Sequence, residues 1–496
     1  MAPFLQWFSN VRQAIRQKLN LRYEGAQYNP ARSNLQAPLQ PARLDITTWT
    51  RTALQKKARY WEKNSAYANR MGDLVEQYAV GTGLVIQPNS SSPEFNQVAD
   101  AWWREWQRTP DIGSNHSFAR LQGIIARSFF FDGEIFIVKV RDEDGSPKIQ
   151  LFEADHVATP PDQIENRNLA DGVALNDYGR PTAYWFGTPG DDSGSLEWNR
   201  IQAEQVIPVM EPGRVGQNRG LPFLYPVLND LHDLEDLQLL EMQAAKSAAE
   251  KTEIISTPTG QLSPAQMRMA RFGVAPASTS TCPTPDPAVY YNQVFGGRAK
   301  VISSQDKYEQ FVGERPSGAT RDYWRLLEEK VCIGVGIPFV VVAPDSMQGT
   351  VFRGALDFAN AFFRARWSVL AEAFGEVYIY AMEAGRAKIP ALRDPPADWR
   401  SYTVHPPRAV NVDVGRNSYA MRTELAAGIR SPQGVCAEQG DDYRLIYRQK
   451  AEAAAYADKL AAEFGIDVTR IVAESLPQAP AAEGDSTEPE PAATEG

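Results

Sequence analysis

Residues 211–224 read EPGRVGQNRGLPFL, with three glycines, two prolines and two arginines in fourteen positions. The chain then turns apolar and acidic at helical spacing. Leu224, Val227, Leu231, Leu234 and Leu237 recur every three or four residues, with Asp230, Asp233, Glu235, Asp236 and Glu241 among them. An Arg-Gly hook in front of such a helix has two readings. Backbone N–H groups and arginines at a helix start can cradle a phosphate. Alternatively, glycines form a tight corner from which a pillar rises, with Pro222 or Pro226 starting the helix. The corner reading makes Arg214 and Arg219 structural or intersubunit residues, paired with acids of the same chain or of the next copy.

The bulk of the chain favours architecture over chemistry. Its 496 residues, 43% of them hydrophobic, support several domains or one large subunit. The net charge of −10 excludes a protein that grips nucleic acid along its whole length, because phosphate affinity comes from Lys and Arg. Three cysteines, Cys282, Cys332 and Cys436, are too few and too scattered for a disulfide framework. No apolar run is long enough to span a bilayer, and the N-terminus lacks a signal-peptide core. Phe4, Trp7, Phe8, Val11, Ile15 and Leu19 form one face of an N-terminal helix, which suits docking on protein better than lying on a membrane.

Along the chain, residues 22–45 read as an extended arm and 51–80 as a helical stretch ending at Gly81 and Gly83. GLVIQP at 83–88 is a strand. Trp102, Trp103 and Trp106 share a helix, where a packed core is the simpler reading and a sugar site the sharper one. EIFIVKV and KIQLFE are strands joined by DEDGSP; Asp142 and Asp144 hint at a calcium loop, but its other ligands are missing, so the segment is a hairpin turn. GVALNDYGRPTAYWF is a second β unit. Helical patterns cover 225–255 and 317–336, with Ser317 as N-cap of the second. A third helix runs from Thr350 to about Ala384, where Gly385 can cap it and Pro390 blocks continuation. The last twenty residues are Pro, Ala and acid, a composition that does not fold alone.

Chemistry-bearing motifs are absent. The four histidines, His116, His156, His232 and His405, are not at metal spacing, and no phosphate loop or nucleophile elbow appears. No cofactor and no catalytic or metal site is expected.

Several stretches together resemble the phage portal proteins of the lambda family. KKARYWEKNSAYANR with YAVGTGLVIQP is similar to the family's N-terminal Arg, Asn and VGxG segment. FARLQGIIARSFFFDGEIFIV is similar to its Gly-Glu segment, and GVALNDYGRPTAYWF to its Gly-Arg-Pro hairpin. The opening hook resembles its Arg, Gly-Gln, Arg-Gly motif, and CIGVGIPFVVVAPD followed by Arg353 its Gly-x-Pro, Asp, Arg segment. These fall in family order from about residue 50 to 370. Two departures stand out: MQGTVFR replaces the usual Tyr-Ser-Ser before the Arg, and VISSQDKYE only loosely follows the Leu-x-Pro-Gly-Glu element. Little resemblance remains after about residue 390.

The resemblance implies an α+β portal fold assembled as a ring of typically twelve subunits at one capsid vertex. Its parts are an N-terminal arm (1–44), an α/β wing (45–225), stem helix 1 (226–255), a small β-containing clip (256–316) and stem helix 2 (317–335). A channel loop (336–349), the long spanning helix with the second part of the wing (350–412), a helical crown (413–476) and a disordered acidic tail (477–496) follow. It implies no enzyme activity and a virion location after assembly in the host cytoplasm. The implied partners are further copies of the chain, the terminase, a head–tail connector or adaptor, the major capsid protein or scaffold, and double-stranded DNA that passes through without tight binding. Other classes are a head–tail adaptor ring or a hydrolase. An adaptor would be shorter and lack the long helix; a hydrolase would carry a pocket of perturbed acids. Asp345, Ser346, Met347 and Gln348 form the expected channel loop, and Lys246 and Lys251 the expected weak phosphate contacts.

The loop carries no Lys or Arg, so its contact with DNA would be steric and weakly polar. Replacing Met347 and Gln348 with Gly is expected to preserve rings and procapsids but lower the DNA retained per particle. Wild-type retention in a defined packaging system would make the loop a spectator.

Overall fold

A computed structural model describes residues 40–113, 116–190, 196–249, 254–257, 300–303, 318–344, 349–407, 414–438 and 443–468. The N-terminal amphipathic segment, Ser317, Lys251, most of the expected clip, the tip of the channel loop and the acidic tail lie outside these residues.

The described residues open with a short turn of helix, α1 (Ala42–Asp45), within the segment 22–45 expected to be an extended arm. The next helical stretch is divided. Helices α2 (Thr48–Asn64) and α3 (Ala66–Val75) meet at Ser65, whose hydroxyl accepts from the Ala68 N–H and restarts the helix. A π-turn, Glu76–Val80, then leads to Gly81, whose φ of 65° ends it. Strand β1 (Val85–Pro88) and helices α4 (Pro93–Trp106) and α5 (Phe118–Asp132) follow.

At Gly133 the chain adopts φ 80°, closes α5 and enters β2 (Glu134–Arg141). Strands β3 (Pro147–Glu153), β4 (Leu169–Ala170), β5 (Val173–Leu175), β6 (Pro181–Pro189), β7 (Leu196–Gln202) and β8 (Val206–Met210) complete two antiparallel sheets, ordered β3-β2-β8 and β4-β5-β6-β7. Strand β2 divides two cores by its period of two. Ile135 and Ile137 pack into the main helical core, whereas Phe136 and Val138 face the second sheet with Phe152, Val173, Tyr184 and Phe186. Such a strand is buried on both sides, which explains its nearly unbroken apolar run.

After the hook come α6 (Leu228–Ala249), the paired parallel strands β9 (Ile254–Thr257) and β10 (Lys300–Ser303), α7 (Gly318–Val335), the single turn α8 (Phe339–Val342) and the long α9 (Gly349–Lys388). Residues 254–257 are thus strand, although the helical pattern extends to 255. Two isoleucines and a threonine in the run Ile-Ile-Ser-Thr favour extended backbone once the leucine stripe has ended. Residues 339–342 are helical rather than loop, with Val341 and Val342 buried. Strand β11 (Tyr402–His405) pairs antiparallel with β1, and α10 (Val414–Ala426), α11 (Pro432–Glu438) and α12 (Tyr443–Phe464) end the described chain.

Helix α9 has 40 residues, about 60 Å of length. Its stripe of Phe363, Leu370, Phe374, Val377 and Ala381 is buried in the main core. Gly385 does not cap it. The helix continues to Lys388, and Gly385 leaves the space in which the Trp102 indole lies; a Cβ there would stand 2.4 Å from Trp102 Nε1, which donates to the Ala381 carbonyl at 3.1 Å. Trp103 and Trp106 stack at 5.0 Å inside the core, so the tryptophan helix is packing and not a sugar platform. The acidic hairpin turn is likewise structural: Asp144 accepts from the Ser146 backbone and hydroxyl and pairs with Lys388.

Gly385→Ala gains about 1 kcal/mol of helix propensity but forces out a packed indole. The expected net effect is a lower thermal unfolding midpoint, whereas in a Trp102→Ala background, already destabilised by loss of the indole, Gly385→Ala should lower the midpoint no further. A midpoint unchanged or raised by Gly385→Ala alone would show that the indole slot has no packing role.

Candidate functional site

The hook at 211–224 is built around one buried pair. Arg219 is 3% exposed and Glu134 fully buried. Arg219 Nε lies 2.9 and 3.1 Å from the two Glu134 carboxylate oxygens and Nη2 lies 2.6 Å from Oε1. The other guanidinium hydrogens go to carbonyls: Nη1 donates to Val157 at 2.8 Å and to Asp171, and Nη2 to Ala154 at 2.8 Å. Glu134 Oε2 in turn accepts from the Gly220 N–H at 2.7 Å. Two backbones cross here without side chains. A Cβ on Gly220 would come within 2.1 Å of the Gly133 carbonyl, and one on Gly133 within 2.1 Å of Leu221. The Gly-Glu that ends α5 and the Arg-Gly of the hook therefore form one clasp.

A second layer surrounds it. Arg51 on α2 is buried and reaches Asp171 at 2.5 Å and the Gln55 amide oxygen at 2.7 Å, while Gln55 donates to the Asp132 carbonyl. Arg59 grips the Asp132 carboxylate at 2.7 and 2.8 Å. Asp171 has φ 48°, the one non-glycine residue in the left-handed region among the described residues, and this turns its carbonyl and carboxylate toward the two arginines. Burial raises its carboxyl, but Arg219 and Arg51 outweigh burial and hold it below the usual carboxylate range. Burial likewise disfavours the Arg219 cation, and Glu134 with Asp171 more than restore it. The Arg219 guanidinium is saturated by protein partners, so it has no donor left for a phosphate.

The rest of the hook is equally tied. Gln217 accepts from the Gly213 and Arg214 N–H groups and donates to the Arg219 carbonyl. Arg214 pairs with Asp45 at 2.7 Å and donates to the Gln40 carbonyl, which pins α1. Both expected arginines thus have partners within their own chain. Phe223 stacks on Phe130 at 5.7 Å, and Arg366 of α9 lies between Phe223 and Phe362 at 4.8 and 4.1 Å.

Helix α6 starts two residues after Pro226. Leu228, Leu231 and Leu234 are buried, but Leu239, Leu240 and Met242 are exposed, so its second half leaves the core. Helix α7 returns beside it: Lys330 meets Asp230 at 2.5 Å, and Gly334 lets Val227 approach so closely that a Cβ would stand 2.2 Å from it. Tyr67 hydrogen-bonds Glu328. One face of α7 buries Leu327, Val331 and Val335, and another presents Tyr323, Leu326 and Ile333 to solvent at 55, 59 and 78% exposure. Lys246 is exposed in the last turn of α6. Lys251 and Asp345, Ser346, Met347 and Gln348 lie outside the described residues. Among the described residues no three His, Cys, Asp or Glu side chains could hold a metal, and no helix is long and apolar enough to cross a membrane.

Sequence reading placed Glu134 in the Gly-Glu segment without seeing its pairing, and did not single out Asp171 or Arg51. Their one available signal was polar side chains on faces that also carry core residues, Arg51 and Gln55 beside Ala58 on α2.

A family described as "Phage portal protein, lambda family" matches residues 29–352. The chain is 22% identical over 427 residues to the probable portal protein of Halomonas phage phiHAP-1, covering 80% of this chain and 79% of that one. It is 22% identical over 210 residues to portal protein B of Escherichia phage lambda, covering 37% and 39%. Among solved structures, a chain in the neck of a native gene transfer agent particle aligns with a TM-score of 0.46 at 14% identity, over 80% of this chain and 94% of that one.

Arg219→Met would leave Glu134 buried without its partner and three carbonyls uncapped, an expected loss of about 3–5 kcal/mol. Urea unfolding of the variant checks this; a midpoint within error of wild type would remove the clasp from the stability account. Because Asp171 is depressed, its contribution is full above its unfolded value of about 3.9 and is lost as pH falls through its lower folded value. Stability should therefore drop below about pH 4, and less steeply in Asp171→Asn.

Proposed function

The chain belongs to the lambda family of phage portal proteins, and from that membership we propose that it forms a ring-shaped channel of about twelve copies at one capsid vertex. Viral DNA enters the procapsid through this ring and later leaves through it. The ring docks the terminase, which supplies the ATPase, and afterwards the head–tail connector or adaptor, while its outer side meets the major capsid protein or scaffold. The protein is structural and carries no hydrolytic activity of its own. It assembles in the host cytoplasm and ends in the virion.

The observation that carries the ring is the outer face of α7. Tyr323, Leu326 and Ile333 stand at spacings of three and seven along one helix and are more than half exposed in the single chain. Large apolar side chains aligned in this way mark a surface that is covered in the assembly. Copies related by rotation bury it against the next subunit, and the same patch recurs around a closed ring.

Acidity fits the conduit. Each phosphate neutralised by Lys or Arg adds affinity, so a net-negative ring holds the duplex loosely and lets it slide. The clasp would hold the root of α6, so that the protruding helices α6 and α7 keep a fixed angle to the wing. The channel loop Asp345–Gln348, Lys246 and Lys251 remain the proposed points of contact with passing DNA.

Light scattering of the purified chain should give a mass near twelve times 55.1 kDa and no ATP turnover. Leu326→Glu with Ile333→Glu should reduce that mass to one or a few chains while the circular dichroism spectrum stays that of wild type. Full-sized rings from the double variant would take α7 out of the interface, and a monomeric wild type would contradict the ring.

A further inference from the structure

The amphipathic run at the N-terminus has no role in the clasp or in the ring face. Phe4, Trp7, Phe8 and Val11 stand at i, i+3, i+4 and i+7, with Ile15 one turn further. That is the spacing by which a helix lays large anchors into an apolar groove.

A groove of this kind lies beside the clasp. It is a cavity of about 660 Å³ between α1, the start of α2, the segment 158–170 and the hook. Its volume falls in the range of about 300–1,000 Å³ typical of sites that bury a drug-sized group. Leu44, Ile46, Ala158, Ile164, Leu169 and Ala170 give it apolar walls. Leu44 and Ile164 are more than half exposed, and so is Trp49, next in the chain to the lining Thr48. Large apolar side chains gathered at one concavity mark a place for a partner surface. The charges in the lining do not call for an ion. Asp171 and Arg219 already pair with each other and with Arg51 and Glu134. Arg43 and Arg167 are exposed, and the exposed acids Asp162 and Glu165 flank Ile164.

The start of the described chain identifies the occupant. The carbonyl of its first residue, Gln40, accepts from Arg214 at 2.8 Å, so the chain enters against the hook. Ala42 and Leu44, two and four residues on, already line the cavity. The 39 preceding residues therefore join at its rim. Asn20 to Leu39 is a tether of twenty residues, with a reach of about 25 Å for a coil of that length. It can return residues 4–15 to the cavity and hold them there at an effective concentration of order millimolar, against which any separate partner must compete.

We propose that residues 4–15 dock as a helix into this cavity of their own chain, with Phe4, Trp7, Phe8 and Val11 against Leu44, Trp49 and Ile164. Asp171 and Arg219 line the same cavity, so the docked segment also shields the clasp from water, which strengthens its ion pairs. Docking of this kind needs a single chain and stands apart from the ring.

Hydrogen–deuterium exchange of the full-length chain tests this. The amides of Leu44, Asp45, Ile46, Gln163 and Leu169 bond within turns at the cavity wall. In Trp7→Glu with Phe8→Glu they should exchange at least about fivefold faster than in wild type, while peptides of α5 stay unchanged. A chain lacking residues 1–21 should behave in the same way, and adding a peptide of residues 1–21 should restore protection. Equal exchange at 44–46 and 163–169 in wild type and both variants would overturn the docking. Protection that appears in wild type only when phosphatidylserine vesicles are added would overturn it in favour of a membrane surface. Cysteine pairs identify whose segment is bound: Ala14→Cys and Arg167→Cys in one chain should be joined by a short bismaleimide linker, as located by peptide mass, and a mixture of the two single variants should not. Equal joining in the mixture would give the cavity to the segment of another copy and overturn the assignment.

Discussion

The Arg219–Glu134 pair sits where three parts of the chain must meet at a fixed angle. Glu134 begins the central strand of the β3-β2-β8 sheet, Arg219 lies in the hook, and α6 begins nine residues later. A buried pair of this kind is costly to desolvate and contributes little net stability compared with an apolar contact. What it supplies is direction. The guanidinium uses five donors on one carboxylate and three carbonyls, which come from the connections at 154, 157 and 171. No apolar group would choose among these positions. The crossing of Gly133 and Gly220 brings the backbones close enough for a single carboxylate to bind both the arginine and the Gly220 N–H. A protein whose helices must project at one angle in every copy of an assembly has reason to carry such a constraint.

The parts of the fold governed by local period were legible in the sequence. Strands β2 and β3 with their Asp-Gly turn, the β5–β6 unit, the tryptophan helix and the apolar stripe of α9 all lie where alternation or helical spacing puts them. The hook was legible as a corner because glycine and proline mark turns wherever they sit. Its partners were not, since Arg219 and Glu134 are 85 positions apart and charge patterning says nothing about pairing at that distance. The burial of Arg51 was hidden for the same reason; burial of a cation is decided by the acids that surround it. Asp171 gave no sign of its left-handed backbone, because only tertiary contacts hold a non-glycine residue there. Gly385 was misread because a glycine near a helix end suits both a cap and a slot for a neighbouring ring, and only Trp102 decides between them.

The candidate site was legible in outline alone. Leucine spacing predicted the first protruding helix, but its apolar face changes role along its length, buried to Leu234 and exposed beyond Leu237. That change reflects where the rest of the chain stops covering it, which no local pattern encodes. The exposed rows on α6 and α7 are sensible only in company, since a lone chain gains nothing from presenting Leu326 and Ile333 to water.

Electron microscopy of the purified full-length protein tests the central claim most directly, because it sees both the ring and the face that closes it. The account predicts closed rings of about twelve copies around an open channel, with Tyr323, Leu326 and Ile333 of each copy packed against the next. Single-chain particles, or rings in which that face of α7 points into solvent, would contradict it.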